Sequence, residues 1–87
     1  MPDVIARMGE GRGRPEQFPQ LLAWVCEKAV PQVELDPRHI ASEVFSSTDH
    51  RVVVISRWRS DPQSLPKPPA DLVARSPHEW DFTPVDR

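Results

Sequence analysis

The stretch that decides the fold is His39-Ile40-Ala41-Ser42-Glu43-Val44-Phe45-Ser46-Ser47, then Thr48-Asp49-His50, then Arg51-Val52-Val53-Val54-Ile55-Ser56-Arg57-Trp58-Arg59. Val52 to Ile55 is an unbroken β-branched run. Such side chains are stiff at χ1 and suit a pleated surface better than a helix. The link from Ser47 to His50 is short and polar, as a hairpin connection must be. The pattern predicts two antiparallel strands, 39–47 and 51–59.

Working outward, Val4 to Met8 reads as a first strand. Gly9-Glu10-Gly11-Arg12-Gly13-Arg14 holds all three glycines and reads as a connection. Its spacing fits neither a Walker loop, which needs a lysine, nor a dinucleotide-binding fingerprint. Pro15 and Glu16 suit the first turn of a helix. Phe18, Leu21, Leu22, Val25, Cys26 and Ala29 fall at helical spacing on one apolar stripe, so Cys26 is expected to pack as a small apolar residue. Pro31 is expected to end that helix, with 31–37 as connector.

Downstream, Pro62, Pro66, Pro68 and Pro69 forbid a long helix, leaving at most a short one from Ala70 to Arg75. His78 to Val85 alternates, with His78, Trp80, Phe82 and Pro84 on one side and Glu79, Asp81, Thr83 and Val85 on the other. It reads as an edge strand, because Pro84 has no N–H to donate.

The order strand, helix, strand, strand, weak helix, strand is the split βαβ arrangement of a ferredoxin-like α+β domain. Residues 1–87 form one domain, with a four-stranded antiparallel sheet, a short or disrupted second helix, and 61–77 as a proline-rich loop. Apolar residues make up only 38% of the chain, a thin supply for a core. One helix and a loop cover one sheet face, while Val52/Val54 and Val53/Ile55 point to opposite faces. The uncovered face is expected to pack on a second copy, giving a homodimer joined through the sheets.

Composition narrows the chemistry. A net charge of −2 argues against an electrostatic nucleic-acid binder. No apolar run approaches the roughly 20 residues of a membrane span. Met1-Pro2-Asp3 lacks the start of a signal peptide, so the expected location is cytoplasmic. The single cysteine excludes an intramolecular disulfide and a cysteine-built zinc site. His39 and Glu43 are four apart on one strand, ~13 Å at about 3.3 Å per residue, too far to share a metal; no metal is expected. The chain has no tyrosine and no asparagine, which removes Tyr acids and Asn oxyanion donors.

Several segments together resemble the antibiotic-biosynthesis-monooxygenase family of dimeric α+β barrels. They are Val4-Ile5-Ala6-Arg7 with the Arg14-Pro15-Glu16-Gln17-Phe18 helix start, the hairpin from Ser42-Glu43-Val44-Phe45 to Arg57-Trp58, and the closing Trp80-Asp81-Phe82-Thr83-Pro84-Val85. Family enzymes commonly use an asparagine and a tryptophan, often with a second-helix histidine. Here Ala6 or Arg7 stands where the first-strand asparagine would be, and prolines replace much of the second helix. Trp58 resembles the family's structural tryptophan.

The resemblance implies a tailoring protein of secondary metabolism. It would hold a small apolar or aromatic ligand between sheet and helix, and would oxidise or cyclise it without a cofactor. His78, beside aromatic surface, is the candidate base. Arg7 or Arg57 is the candidate anion stabiliser, and Trp58 and Trp80 are the candidate pocket walls. The alternative is a non-catalytic dimeric ligand-binding or protein-interaction module of the same fold.

Overall fold

The computed structural model describes residues 4–87. Four strands, β1 (Ile5–Arg12), β2 (His39–Ser46), β3 (Arg51–Trp58) and β4 (His78–Phe82), form one antiparallel sheet in the order β2-β3-β1-β4. β1 and β2 are the outer arms of a split βαβ unit with β3 between them. This is the ferredoxin-like α+β architecture that the order of elements predicts.

The hairpin forms as its sequence requires. His50 takes φ of 66°, the left-handed conformation that closes the turn. The Ser47 hydroxyl is shared within the turn: it donates to the Asp49 carboxylate and accepts from the Arg51 amide. At the start of β2 the register slips, with His39 opposite Trp58 and Ala41 opposite Arg57, so Ile40 is an extra residue. This bulge reverses the parity of everything before it. His39 therefore lies on the helix side with Trp58 while Glu43, opposite Ile55, lies on the other.

Two expectations fail for definite reasons. β1 does not stop at Met8 but runs to Arg12, through Gly9 and Gly11. No glycine has positive φ, so these residues serve as strand, not as a flexible connection. The helix also does not end at Pro31. It is α-helical over Phe18–Trp24 (α1), π-helical over Val25–Ala29, and α-helical again over Val30–Glu34 (α2). The Val30 amide donates to the Val25 carbonyl, five residues back. A proline in a regular helix lacks a donor and collides with the carbonyl four residues before it. The wide π turn just ahead of Pro31 loosens the ladder where that collision would fall.

The π turn also shifts the apolar stripe. Leu21, Val25, Ala29, Val30 and Val33 are buried, and Cys26 is exposed. Cys26 follows Val25 by one residue, about 100° round the helix, and falls off the buried stripe, so it does not pack as a small apolar residue.

The core lies between this helix and one sheet face. Leu21, Val25 and Val30 pack against Val52 and Val54, and Leu72 joins them. Trp58 is fully buried at the far end, with its Nε1 donating to Ser56 Oγ at 2.8 Å.

The 61–77 segment forms only one 3₁₀ turn, Ala70–Leu72, as its prolines dictate. Its Leu65 and Val73 pack onto the core in place of a second helix. The Arg14 amide donates to the Leu72 carbonyl and the Ala74 amide to the Arg12 carbonyl, which stitch the loop to the end of β1. Among the described residues no helix is long and apolar enough to cross a membrane.

Candidate functional site

Strand alternation sorts the sheet residues into two sets. Ile5, Arg7, Gly9 and Gly11 of β1 share the helix side with Trp58, Ser56, Val54 and Val52 of β3, their partners in register. On β4 the same side carries Asp81 opposite Arg7 and Glu79 opposite Gly9. His78, Trp80 and Phe82 belong to the other face, with Met8, Ile55 and Phe45.

On the helix side lies a cavity of about 550 Å³, larger than the ~300 Å³ at which small-molecule sites begin. Gly9 and Gly11, both buried, lie beneath it beside Val52, Val54 and Glu79. Leu21, Trp24 and Val25 of the helix form the opposite wall, and Leu65 to Pro68 the third side. A methyl group on Gly9 would stand 3.5 Å from Leu65 Cδ1, an ordinary contact distance, so the proline-rich loop packs directly over this end of the floor. The lining is mostly apolar, with Glu10, Ser64, Lys67, Ser76, His78 and Glu79 as its polar side chains.

The residues singled out from sequence fall in four different places. Arg7 is on the helix side but is committed to β4. Its Nε and Nη2 bond both Asp81 oxygens at 2.7 and 3.0 Å, and Nη1 reaches Ser64 Oγ at 3.3 Å. The hydrogen bond to Asp81 raises the already high pKa of Arg7, and the same bond pulls the Asp81 carboxyl down. Trp58 is sealed beneath the far end of the sheet, its ring edge-on to His39 at 5.3 Å. Arg57 is exposed on the uncovered face between Ala6 and Ala41. His78 reaches the mouth of the cavity, yet its ring stacks on Trp80 at 5.8 Å, and Trp80 sits opposite Met8 on the uncovered face. Arg7, Arg57, Trp58 and Trp80 do not line the cavity. The structure thus brings His78 and Trp80 together and holds the other three apart.

The residues that build the cavity went unseen in sequence. Gly9 and Gly11 read as turn residues, although their i, i+2 spacing is also that of one strand face. Nothing in the sequence sets Trp24 apart from Trp58 and Trp80, or Glu79 apart from its neighbour His78. Had β1 been carried through the glycines, the alternation would have set a bare strip beneath the helix.

The uncovered face is apolar at its centre and ionic at one end. Ile55, Phe45, Trp80 and Phe82 are 36%, 46%, 44% and 53% exposed, which is far too open for a sheet centre with no cover. At the hairpin end, Arg75 Nη2 sits astride the Glu10 carboxylate, 2.8 Å from Oε1 and 2.9 Å from Oε2. Arg51 stands 3.7 Å from the same group and 3.1 Å from Asp49.

No protein-family model matches the sequence, and no curated protein is similar to it in sequence. Solved structures do match in fold. Rv0793 from Mycobacterium tuberculosis superposes with a TM-score of 0.72 at 17% identity, over 97% of each chain. NE2512 from Nitrosomonas europaea, a protein of unknown function, gives 0.78 at 11% identity over 99% of this chain and 93% of that one. A monooxygenase from the gene ActVA-Orf6 of Streptomyces coelicolor, solved in complex with nanaomycin D, gives 0.66 at 16% identity over 98% and 89%. The chain has an antibiotic-biosynthesis-monooxygenase-like fold. At these identities the likeness is one of fold, and it agrees with the resemblance drawn from the hairpin and the closing strand.

Proposed function

We propose that the protein is a homodimeric small-molecule tailoring protein of secondary metabolism, acting on an apolar, aromatic ligand without a bound cofactor. The observation that carries this reading is the cavity of about 550 Å³ between sheet and helix. The similar Streptomyces monooxygenase, solved with nanaomycin D, supports the ligand class.

In the catalytic form of the reading, a base takes a proton from an activated ring carbon and the carbanion delivers its electrons to dioxygen. One oxygen atom becomes the new carbonyl, and the other leaves as water with the two hydrogens of the former methylene. The protein's share is to hold the substrate flat, exclude bulk water and accept the proton. His78 at the mouth is the acceptor in this scheme, being the one imidazole at the cavity. A cytoplasmic location fits the single exposed thiol, Cys26, which has no disulfide partner in the chain.

The dimer follows from the uncovered sheet face. Two such faces packed about a twofold axis cover Ile55, Phe45, Trp80 and Phe82 at once. The pairing also brings His78 and Trp80 under a partner, which closes the mouth from that side.

A second reading, a dimeric ligand-binding module without catalysis, is favoured by one observation. Arg7 is held by Asp81 and Ser64, and no arginine lines the cavity to stabilise an anion. Oxygen uptake with a reduced polycyclic phenol, compared in wild type and His78→Gln, separates the two. Turnover lost in the variant supports the enzyme, while binding without uptake in either protein supports the module.

A further inference from the structure

The three walls of the cavity are not tied down equally. The sheet is held by its backbone ladders, and the helix by its own hydrogen bonds and by Leu21 and Val25 in the core. The third wall belongs to residues 60–68, which are a different kind of structure. Among the described residues, none of these donates or accepts a backbone hydrogen bond. The chain is pinned just outside them. The Arg59 amide bonds the Arg38 carbonyl at one end, and the Leu72 amide bonds the Pro69 carbonyl at the other.

Within this segment exposure repeats every three residues. Asp61, Ser64 and Lys67 are exposed, while Pro62, Gln63, Leu65 and Pro66 between them are half-buried. Three residues per turn is the period of polyproline II, a stiff helix with no internal hydrogen bonds. Two side chains hold it down. Leu65 packs on the core and covers Gly9, where an added carbon would meet Leu65 Cδ1 at 3.5 Å. Ser64 Oγ accepts from Arg7 Nη1 at 3.3 Å, a long bond. Arg7 is itself fixed by Asp81, so it is a standing post to which the segment is fastened.

We propose that this proline strap is the gate of the cavity: it swings as a stiff unit about its pinned ends, with Leu65 as the plug and the Ser64–Arg7 bond as the latch. This rests on the ligand-pocket reading above and adds how access to that pocket is controlled. In the dimer the partner closes the mouth at His78, so entry needs a wall that moves. Moving the helix would break the packing of Leu21 and Val25, and moving the sheet would break backbone ladders. Moving the strap gives up one long hydrogen bond and the contacts of Leu65 and its neighbouring prolines. Segments without backbone hydrogen bonds and with few buried contacts are those that open first. The prolines, with φ fixed, keep the strap extended as it moves.

Motion of the strap is read without a ligand by NMR relaxation dispersion. The Leu65 methyls and the Gly9 amide should share one exchange process, absent from the buried Val33 and Val54. Ser64→Ala should raise the open population about fivefold, the scale of one ordinary hydrogen bond. Leu65 exchanging no more than Val33 in both proteins overturns the proposal. Entry is followed by stopped-flow binding of 8-anilinonaphthalene-1-sulfonate. A gated cavity gives a phase whose rate levels off with probe concentration, and Ser64→Ala should raise that plateau about fivefold. Binding to an open sheet face gives only a phase that rises linearly. Xenon, small enough to enter without the strap moving, reports the cavity itself through methyl shifts of Leu21, Val25 and Val52. Xenon shifts with no plateau phase, or with a plateau that Ser64→Ala leaves unchanged, overturn the gate and leave the pocket standing. An absence of xenon shifts removes the pocket reading, and the gate falls with it.

Discussion

Arg7 and Asp81 stand directly opposite each other on β1 and β4 and are joined by two hydrogen bonds, Nε to Oδ1 at 2.7 Å and Nη2 to Oδ2 at 3.0 Å. This fork adds a side-chain clamp to the backbone pairing that joins the five-residue edge strand, every residue of which is exposed, to the sheet. The bond to Arg7 lowers the folded-state pKa of Asp81 below its ordinary value. A carboxyl depressed on folding stabilises above its unfolded pKa, near 4, and loses that contribution as pH falls through the folded value. Asp36, held down to about 2 by Arg38, acts in the same window. Stability should therefore decline on acidification from about pH 4 toward 2. Asp81→Asn should flatten part of that decline in urea titrations at each pH, while costing no more than about 1 kcal/mol at neutral pH because the pair is exposed.

Ser56 is the one buried polar residue of β3, and its hydroxyl serves the indole of Trp58. Ser56→Ala leaves a buried N–H with no acceptor. The expected cost is about 1–3 kcal/mol in urea unfolding, large for the loss of one oxygen. Ser56→Thr keeps the acceptor and should recover most of that loss.

Val53 and Ile55 lie on the uncovered face, whereas Val52 and Val54 are buried under the helix. Val53→Asp with Ile55→Asp should turn a dimer of this chain into a folded monomer, seen as a halved mass in light scattering. The same change at Val52 and Val54 should unfold it. A wild-type mass near 10 kDa would show that the face is not covered by a second copy.

Cys26 is exposed on the helix surface away from the sheet. One thiol per chain should react with a disulfide reagent in the native protein, without denaturant and at a rate close to that of the unfolded chain.

The amino-acid sequence settled the parts of this protein that local chemistry controls. The β-branched run at Val52–Ile55 and the polar link before it produced a hairpin without help from any distant residue. Four prolines between Pro62 and Pro69 excluded a second long helix by removing donors. The alternation from His78 onward fixed which residues share a face of β4.

Tertiary structure decided which face that was, and with it the site. A strand's two faces are equivalent until something packs on one of them, so nothing local told Glu79 from His78. Gly9 became strand because β3 and β4 pair with it on both sides, and Gly11 because β3 pairs with it on one, a gain from distant partners that outweighs their poor strand propensity. Helix continuation past Pro31 likewise came from burial: Val30 and Val33 on the core side reward a helix that the proline alone would stop. The cavity exists only where these non-local choices meet, a glycine floor beneath a shifted helix, and a linear reading of the chain has no term for that meeting.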